Sequence, residues 1–313
     1  MKTLLTLLAG LAVSLSSLPA QDTPPAGRLR VVTSFLPMQS HAAAIAGDRA
    51  DVIQLLDKET GPHDFQLTPG DVRKLADADL FVINGVGLED WLDKLVAQAG
   101  NKNLKVVDTS QGITLLESPE AVFDRHGHSH GHDHHGHDHG GGPNPHVWLD
   151  PVLAKEQAGA ILQALIAADP ANRSAYKANA AAYFQKLDAL DSDFRSAISA
   201  LRNRNLVTFH DAFPYLAKRY GLNYVGYVEE FPEKDPSPKQ LAALVQKIRE
   251  IQVGVIFAEE GYTPNLLERI AEQTGARVSA LDTLEVGVGS PTAYIERMQK
   301  NLAAMQGAFS ANR

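Results

Sequence analysis

The chain carries twelve histidines and no cysteine, so any transition metal it holds must be bound through imidazole and carboxylate. Eight of the twelve lie between His126 and His139, at the start of the stretch HGHSHGHDHHGHDHGGGPNPHVWLDP that runs to Pro151. Glycines at 127, 131, 136 and 140 to 142 interrupt the tract, and its Gly, His and Asp cannot build a core. A mobile loop, 126–142, is expected there, binding several ions weakly through changing sets of imidazoles. The four remaining histidines are His41, His63, His146 and His210.

Three of these fall where a parallel sheet would place a ligand, outside the carboxyl ends of its strands. His210 directly follows the apolar run NLVTF, His63 sits in ETGPHDF shortly after DVIQLL, and His146 lies in NPHVWLDP ahead of a helix start. Asp282 directly follows RVSAL and adds a carboxylate in the same kind of position. Three imidazoles and a carboxylate form a four-coordinate set suited to Zn²⁺. Each residue also has a plainer reading. His63 reads equally as a solvated loop residue, His210 as a strand-end packing residue, and His41 in SFLPMQSHAAAIAG as a packing histidine without a role. Asp150 is an N-cap, Asp64 and Asp211 fit as acceptors that orient neighbouring imidazoles but read more simply as solvated, and Glu259 and Glu260 are charges favoured near a helix N-terminus.

The elements that must position these residues follow from periodicity. LRVVTSF, DVIQLL, DLFVIN and LKVVD alternate with helical stretches such as LTPGDVRKLADA, which predicts a parallel α/β sheet. NLVTFH, YVGYVE, VGVIFAE and RVSAL repeat the arrangement after residue 204. Between them, Ala171 to Asn203 has no Gly or Pro and places Tyr176, Ala180, Tyr183, Leu187, Leu190, Phe194, Ile198 and Leu201 at three- and four-residue steps. That spacing predicts one helix of roughly 50 Å. The expected organisation is an N-terminal α/β lobe over 28–168, a connecting helix over 169–203 and a C-terminal α/β lobe over 204–313.

Residues 1–20, MKTLLTLLAGLAVSLSSLPA, read as a cleavable secretory signal: one early lysine, an apolar run and small residues up to Ala20. The run is shorter than the roughly 20 residues that span a bilayer. The missing cysteine removes disulfides, thiolate nucleophiles and lipidation at an N-terminal cysteine, so an exported, unlipidated protein is expected. The formal charge of −8 becomes −9 when Lys2 leaves with the signal, which argues against a nucleic-acid partner.

Five segments in order, GPHDFQLTPGD, NPHVWLDP, TFHDAFPYLAKRYGL, FAEEGYTPNLLERIAEQTG and SALDTL, carry a resemblance that runs from about Leu29 to the C-terminus. The chain resembles the zinc-binding, ZnuA-type branch of the metal-specific substrate-binding proteins that feed bacterial ABC importers. A histidine-rich insert ahead of NPHVWLDP is itself a feature of that branch. The resemblance implies two α/β lobes joined by one long rigid helix, with a metal site between them. It implies His63, His146 and His210 as ligands and Asp282 as the fourth, acidic one; Glu59 or water is the alternative donor. Manganese-specific relatives carry a carboxylate where this sequence has His210, so zinc is favoured.

The implied function is periplasmic capture of Zn²⁺ as the transported ligand, without enzymatic activity, by a monomer. The implied partner is the membrane permease of a zinc ABC importer, with an accessory zinc chaperone as a further candidate. Two other functions fit the same residues. A zinc hydrolase would need an open metal position, and neither an HExxH helix nor an evident general base is present. A zinc store would hold most of its metal in the tract, which ion counting with and without that segment distinguishes.

Overall fold

The run Leu29–Thr33 forms strand β1, buried along nearly its whole length, as a central strand of a helix-covered parallel sheet must be. A computed structural model describes residues 28–63, 65–117, 142–227, 238–250, 253–258 and 264–310. The leader segment, Asp64, the tract from His126 to Gly141 and the pair Glu259 and Glu260 lie outside the described residues.

Strand β1 pairs in parallel with β2 (Ala50–Gln54) and β3 (Leu80–Ile83), and β3 pairs with β4 (Lys105–Asp108), giving the order β2-β1-β3-β4. Helices α1 (Leu36–Ala46), α2 (Pro69–Ala76) and α3 (Leu92–Ala99) supply the crossovers. Helix α2 shows how sharply the sequence starts an element. Thr68 and Asp71 form a reciprocal capping box around Pro69, which is already set for a first helical position. After β4 the chain passes through a short 3-10 turn at Val147–Leu149 into α4 (Pro151–Ala168). The Asp150 carboxylate accepts the Val152 N–H at 2.8 Å, the N-cap role expected for it.

The second lobe repeats the scheme. Strands β5 (Asn205–Thr208), β6 (Asn223–Tyr227), β7 (Val255–Ala258) and β8 (Arg277–Ala280) form a parallel sheet ordered β6-β5-β7-β8. Helices α6 (Pro214–Tyr220), α7 (Pro238–Glu250), α8 (Pro264–Thr274) and α9 (Ala293–Ser310) accompany it. In both sheets the strand order reverses beside the first strand, and the loops at the carboxyl edges face the junction between lobes. None of the helices among the described residues is long and apolar enough to cross a membrane.

The two-lobed α/β architecture with a long connecting helix is therefore observed. That helix, α5, spans Arg173–Ser199, about 40 Å at 1.5 Å per residue, shorter than the sequence suggests. A 3-10 turn at Pro170–Asn172 replaces its expected first turn, and Leu201 lies beyond its end. Side-chain bonds hold the chain at both ends of the helix. The Asp169 carboxylate takes hydrogen bonds from Asn172 at 2.6 Å and from the Tyr176 hydroxyl at 2.7 Å, and Arg204 donates to the Ser199 carbonyl at 2.9 Å. The predicted stripe is otherwise buried from Tyr176 to Ile198, against α1 and α4 on one side and α6 and α9 on the other. One continuous apolar core runs from the first sheet through α5 to the near face of the second lobe, including Phe213, Phe257 and Leu284. A smaller core around Val207, Phe209 and Ile256 lies beneath α7 and α8.

His41, on α1, is buried completely at this junction. Its Nδ1 lies 2.9 Å from the Tyr183 hydroxyl of α5, and its ring meets Tyr294 of α9 edge-on at 4.7 Å. Burial lowers its pKa to about 3, so it is a neutral packing residue.

Candidate metal centre

His63 is presented by the loop after β2, in a turn fixed from two directions. The Trp91 indole donates to the Pro62 carbonyl at 3.2 Å, and the Asp57 carboxylate accepts the N–H groups of Glu59 and Thr60 at 2.8 and 2.9 Å. His146 enters from the loop between β4 and the 3-10 turn, with its ring 5.1 Å from that of the fully buried Trp148. His210 follows β5, held by the Thr208 hydroxyl donating to its carbonyl at 2.7 Å. The three imidazoles converge, with centroids 5.7 Å apart for His63 and His146, 5.6 Å for His63 and His210, and 4.7 Å for His146 and His210.

The carboxylate that joins them is Glu285. One donor atom from each of His63, His146, His210 and Glu285 lies within 4.8 Å of all the others. Glu285 Oε1 is 3.3 Å from His63 Nε2 and 3.1 Å from His146 Nε2. A tetrahedron with bonds of about 2.0–2.1 Å has edges of roughly 3.3–3.4 Å, close to these two separations. Burial alone would raise the Glu285 carboxyl. The charge of His63, the hydrogen bonds from His146 and His63, and the charge of His210 outweigh it and hold the group well below the usual carboxylate range.

Two expectations about the carboxylate are thereby corrected. Asp282 is not among the converging donors. Both of its oxygens are taken by Arg297 of α9, through Nε and through Nη2 at 2.6 Å, and Oδ1 also accepts the Leu284 N–H at 2.8 Å. Glu59, the alternative donor, is exposed and lies 3.5 Å from Lys58. Asp282 shapes the loop that carries Glu285. Arg297 also grips the Val286 carbonyl at 2.6 Å, and the Trp148 indole donates across the lobes to the Thr283 carbonyl at 2.7 Å. Leu284, just before Glu285, has φ +62, a left-handed conformation that costs a non-glycine residue about 1 kcal/mol or more and persists because these contacts over-determine it. Gly287, at φ +111, has Arg297 where a Cβ would stand.

Of the two readings of Asp211, the solvated one is corrected. The residue is buried rather than solvated, accepting Asn144 Nδ2 at 2.9 Å and the Tyr224 hydroxyl at 3.1 Å.

Residues 31–308 match the family described as ZnuA, zinc-uptake complex component A, periplasmic. The chain belongs to the ZnuA family. It is 35% identical over 290 residues to the high-affinity zinc uptake system protein ZnuA of Bacillus subtilis, covering 90% of this chain and 88% of that one. The zinc-binding lipoprotein AdcA of Streptococcus pneumoniae is 32% identical over 310 residues; the match covers 98% of this chain but only 61% of AdcA's length. The solved Zn(II)-bound ZnuA-like domain of AdcA superposes with a TM-score of 0.74 at 30% identity, covering 90% of this chain and 99% of the domain. The Pseudomonas aeruginosa substrate-binding protein FpvC, solved with Ni²⁺, superposes with a TM-score of 0.78 at 27% identity, covering 92% and 98%.

Proposed function

We propose that this chain is the capture component of a zinc ABC importer: it binds one Zn²⁺ through His63, His146, His210 and Glu285 and hands the ion to a membrane permease. The observation that carries this reading is the convergence of four donors, two from each lobe, all within 4.8 Å of one another. Three neutral imidazoles and one carboxylate leave a single net positive charge on the bound ion, and four protein donors fill the sphere that a hydrolytic zinc keeps open for water. The imidazole-rich set favours Zn²⁺ over Mn²⁺, whereas Cu²⁺ and Ni²⁺ compete on intrinsic affinity, so that supply decides among them. Export through the signal at 1–20 places capture in the periplasm, and a sequence without cysteine supports an unlipidated form.

Metal analysis of untagged protein, followed by Zn²⁺ and Mn²⁺ competition, tests the assignment. One tightly held zinc that excess manganese does not displace is expected. A chain that takes up manganese in preference would refute it, and turnover of ester or peptide substrates would revive the hydrolase reading. Because imidazole binds metal only when neutral, with an ordinary pKa near 6.5, zinc affinity is expected to fall more than about tenfold between pH 7 and 5. A flat profile over that range would exclude a mainly histidine site.

The tract is assigned a separate, weaker role in collecting ions. Deleting His126 to His139 is expected to lower the number of weakly bound ions in equilibrium dialysis and to leave one tight zinc. Loss of the tight site on deletion would show that the tract supplies ligands.

A further inference from the structure

We infer that Asn144 is a positioning residue for metal capture: its carboxamide sets which nitrogen of His146 faces the ion and ties that ring to Asp211, the residue after His210 in the opposite lobe. The inference rests on the zinc-binding reading above.

Asn144 is 1% exposed. Its Oδ1 accepts the His146 backbone N–H at 3.0 Å and lies 3.0 Å from His146 Nδ1. An oxygen acceptor there requires Nδ1 to carry the proton, which leaves Nε2, the atom facing Glu285, to bind metal. The other end of the amide donates to the Asp211 carbonyl at 2.8 Å and to Asp211 Oδ2 at 2.9 Å. These partners fix the orientation of the amide. A flipped group would turn NH₂ toward the His146 N–H and its oxygen toward the Asp211 carboxylate.

The backbone of the same residue is held as firmly. Its N–H donates to the Leu116 carbonyl at 2.7 Å, and its carbonyl accepts the Tyr215 hydroxyl of the second lobe at 2.7 Å. Asn144 therefore joins two ligand-bearing segments, one from each lobe, at the site itself. No other amino acid offers one acceptor toward His146 and one donor toward Asp211 in this volume. Aspartate keeps the first and sets a second carboxylate against Asp211; alanine keeps neither.

The test uses the full chain with zinc alone, its tight-site affinity read by chelator competition, and Co²⁺ as a spectroscopic replacement. Asn144→Ala and Asn144→Asp are each expected to weaken the tight site about 10–100-fold and to shift the visible Co²⁺ bands. Adding Asp211→Asn to Asn144→Asp returns a donor opposite the acceptor and is expected to restore most of the affinity and the parental bands. Thermal unfolding of the apo forms separates this from a loss of folding, and the aspartate and exchanged variants decide the matter should the alanine variant not fold. An Asn144→Ala protein within about twofold of the parent, or an exchanged variant no tighter than Asn144→Asp, overturns the inference. A parent chain lacking a tight zinc site would instead defeat the functional reading on which it rests.

Discussion

Replacing Glu285 by glutamine is expected to weaken zinc binding by about two to three orders of magnitude, with Asp282→Asn costing far less. Structural zinc sites bind with about 10–16 kcal/mol, so each of four donors accounts for roughly 2.5–4 kcal/mol, and each 1.4 kcal/mol is a factor of ten. Glutamine keeps the length and shape of Glu285 but removes the charge that compensates the ion, in a site where the carboxylate is nearly enclosed. Asp282 lies outside the donor cluster and acts through the Arg297 grip, so its amide variant loosens the loop without removing a ligand. In the Co²⁺ form, Glu285→Gln is expected to change the visible bands, whereas Asp282→Asn leaves a four-coordinate spectrum. Equal affinity losses for the two variants, or a larger loss for Asp282→Asn, would return Asp282 to the metal.

The contrast between these two residues shows where sequence reasoning succeeds and where it stops. His63, His146 and His210 were legible because each lies in a loop at the carboxyl edge of its sheet, and parallel sheets place ligands there. The long helix was legible because its stripe from Tyr176 to Ile198 contains no breaker. The same strand-end rule selected Asp282, two residues after β8, and passed over Glu285, five residues after it. What carries Glu285 to the three imidazoles is the left-handed turn at Leu284 and the hold of Arg297 and Trp148 on its flanks, contacts between segments far apart in the chain. The one local signal was a second acidic residue in the same loop, ahead of Gly287 and Gly289. Asp211 was misread for a related reason. Beside His210 it looks like a solvated neighbour, and the partners that bury it, Asn144 and Tyr224, come from elsewhere in the sequence.

The lobes also meet away from the donor cluster. Arg219 of α6 pairs with Asp150 at 2.6 Å, the Tyr294 hydroxyl donates to the Trp148 carbonyl at 2.7 Å, and Gln54 bonds both Gly287 and Gly289 at 2.8 Å. These bonds, with a core continuous through α5, hold the loops that carry the four donors against one another.

Two buried groups outside the site predict an unusual dependence of stability on pH. His41 is neutral in the folded chain, with a pKa of about 3 against 6.5 ordinarily. Between these values the unfolded chain binds the extra proton, so its contribution to stability is full above pH 6.5 and is lost as pH falls. Glu89 is the opposite case. Burial raises its carboxyl to about 7, despite hydrogen bonds from the Asn84 and Gly85 N–H groups, so the folded chain holds the proton and the associated stability is full below pH 4.5 and lost as pH rises through 7. From pH 4.5 to 6.5 the two slopes cancel, each about 1.4 kcal/mol per pH unit and of opposite sign. Single variants uncover them. Relative to the parent, Glu89→Gln is expected to lose about 2 kcal/mol of stability between pH 6.5 and 4.5, and His41→Gln to gain a similar amount over the same interval. Urea unfolding of the metal-depleted proteins at several pH values measures both, and the ligand histidines, shared by all three chains, cancel in the differences. Parallel curves for parent and variants would mean that neither group is held in its neutral form by burial.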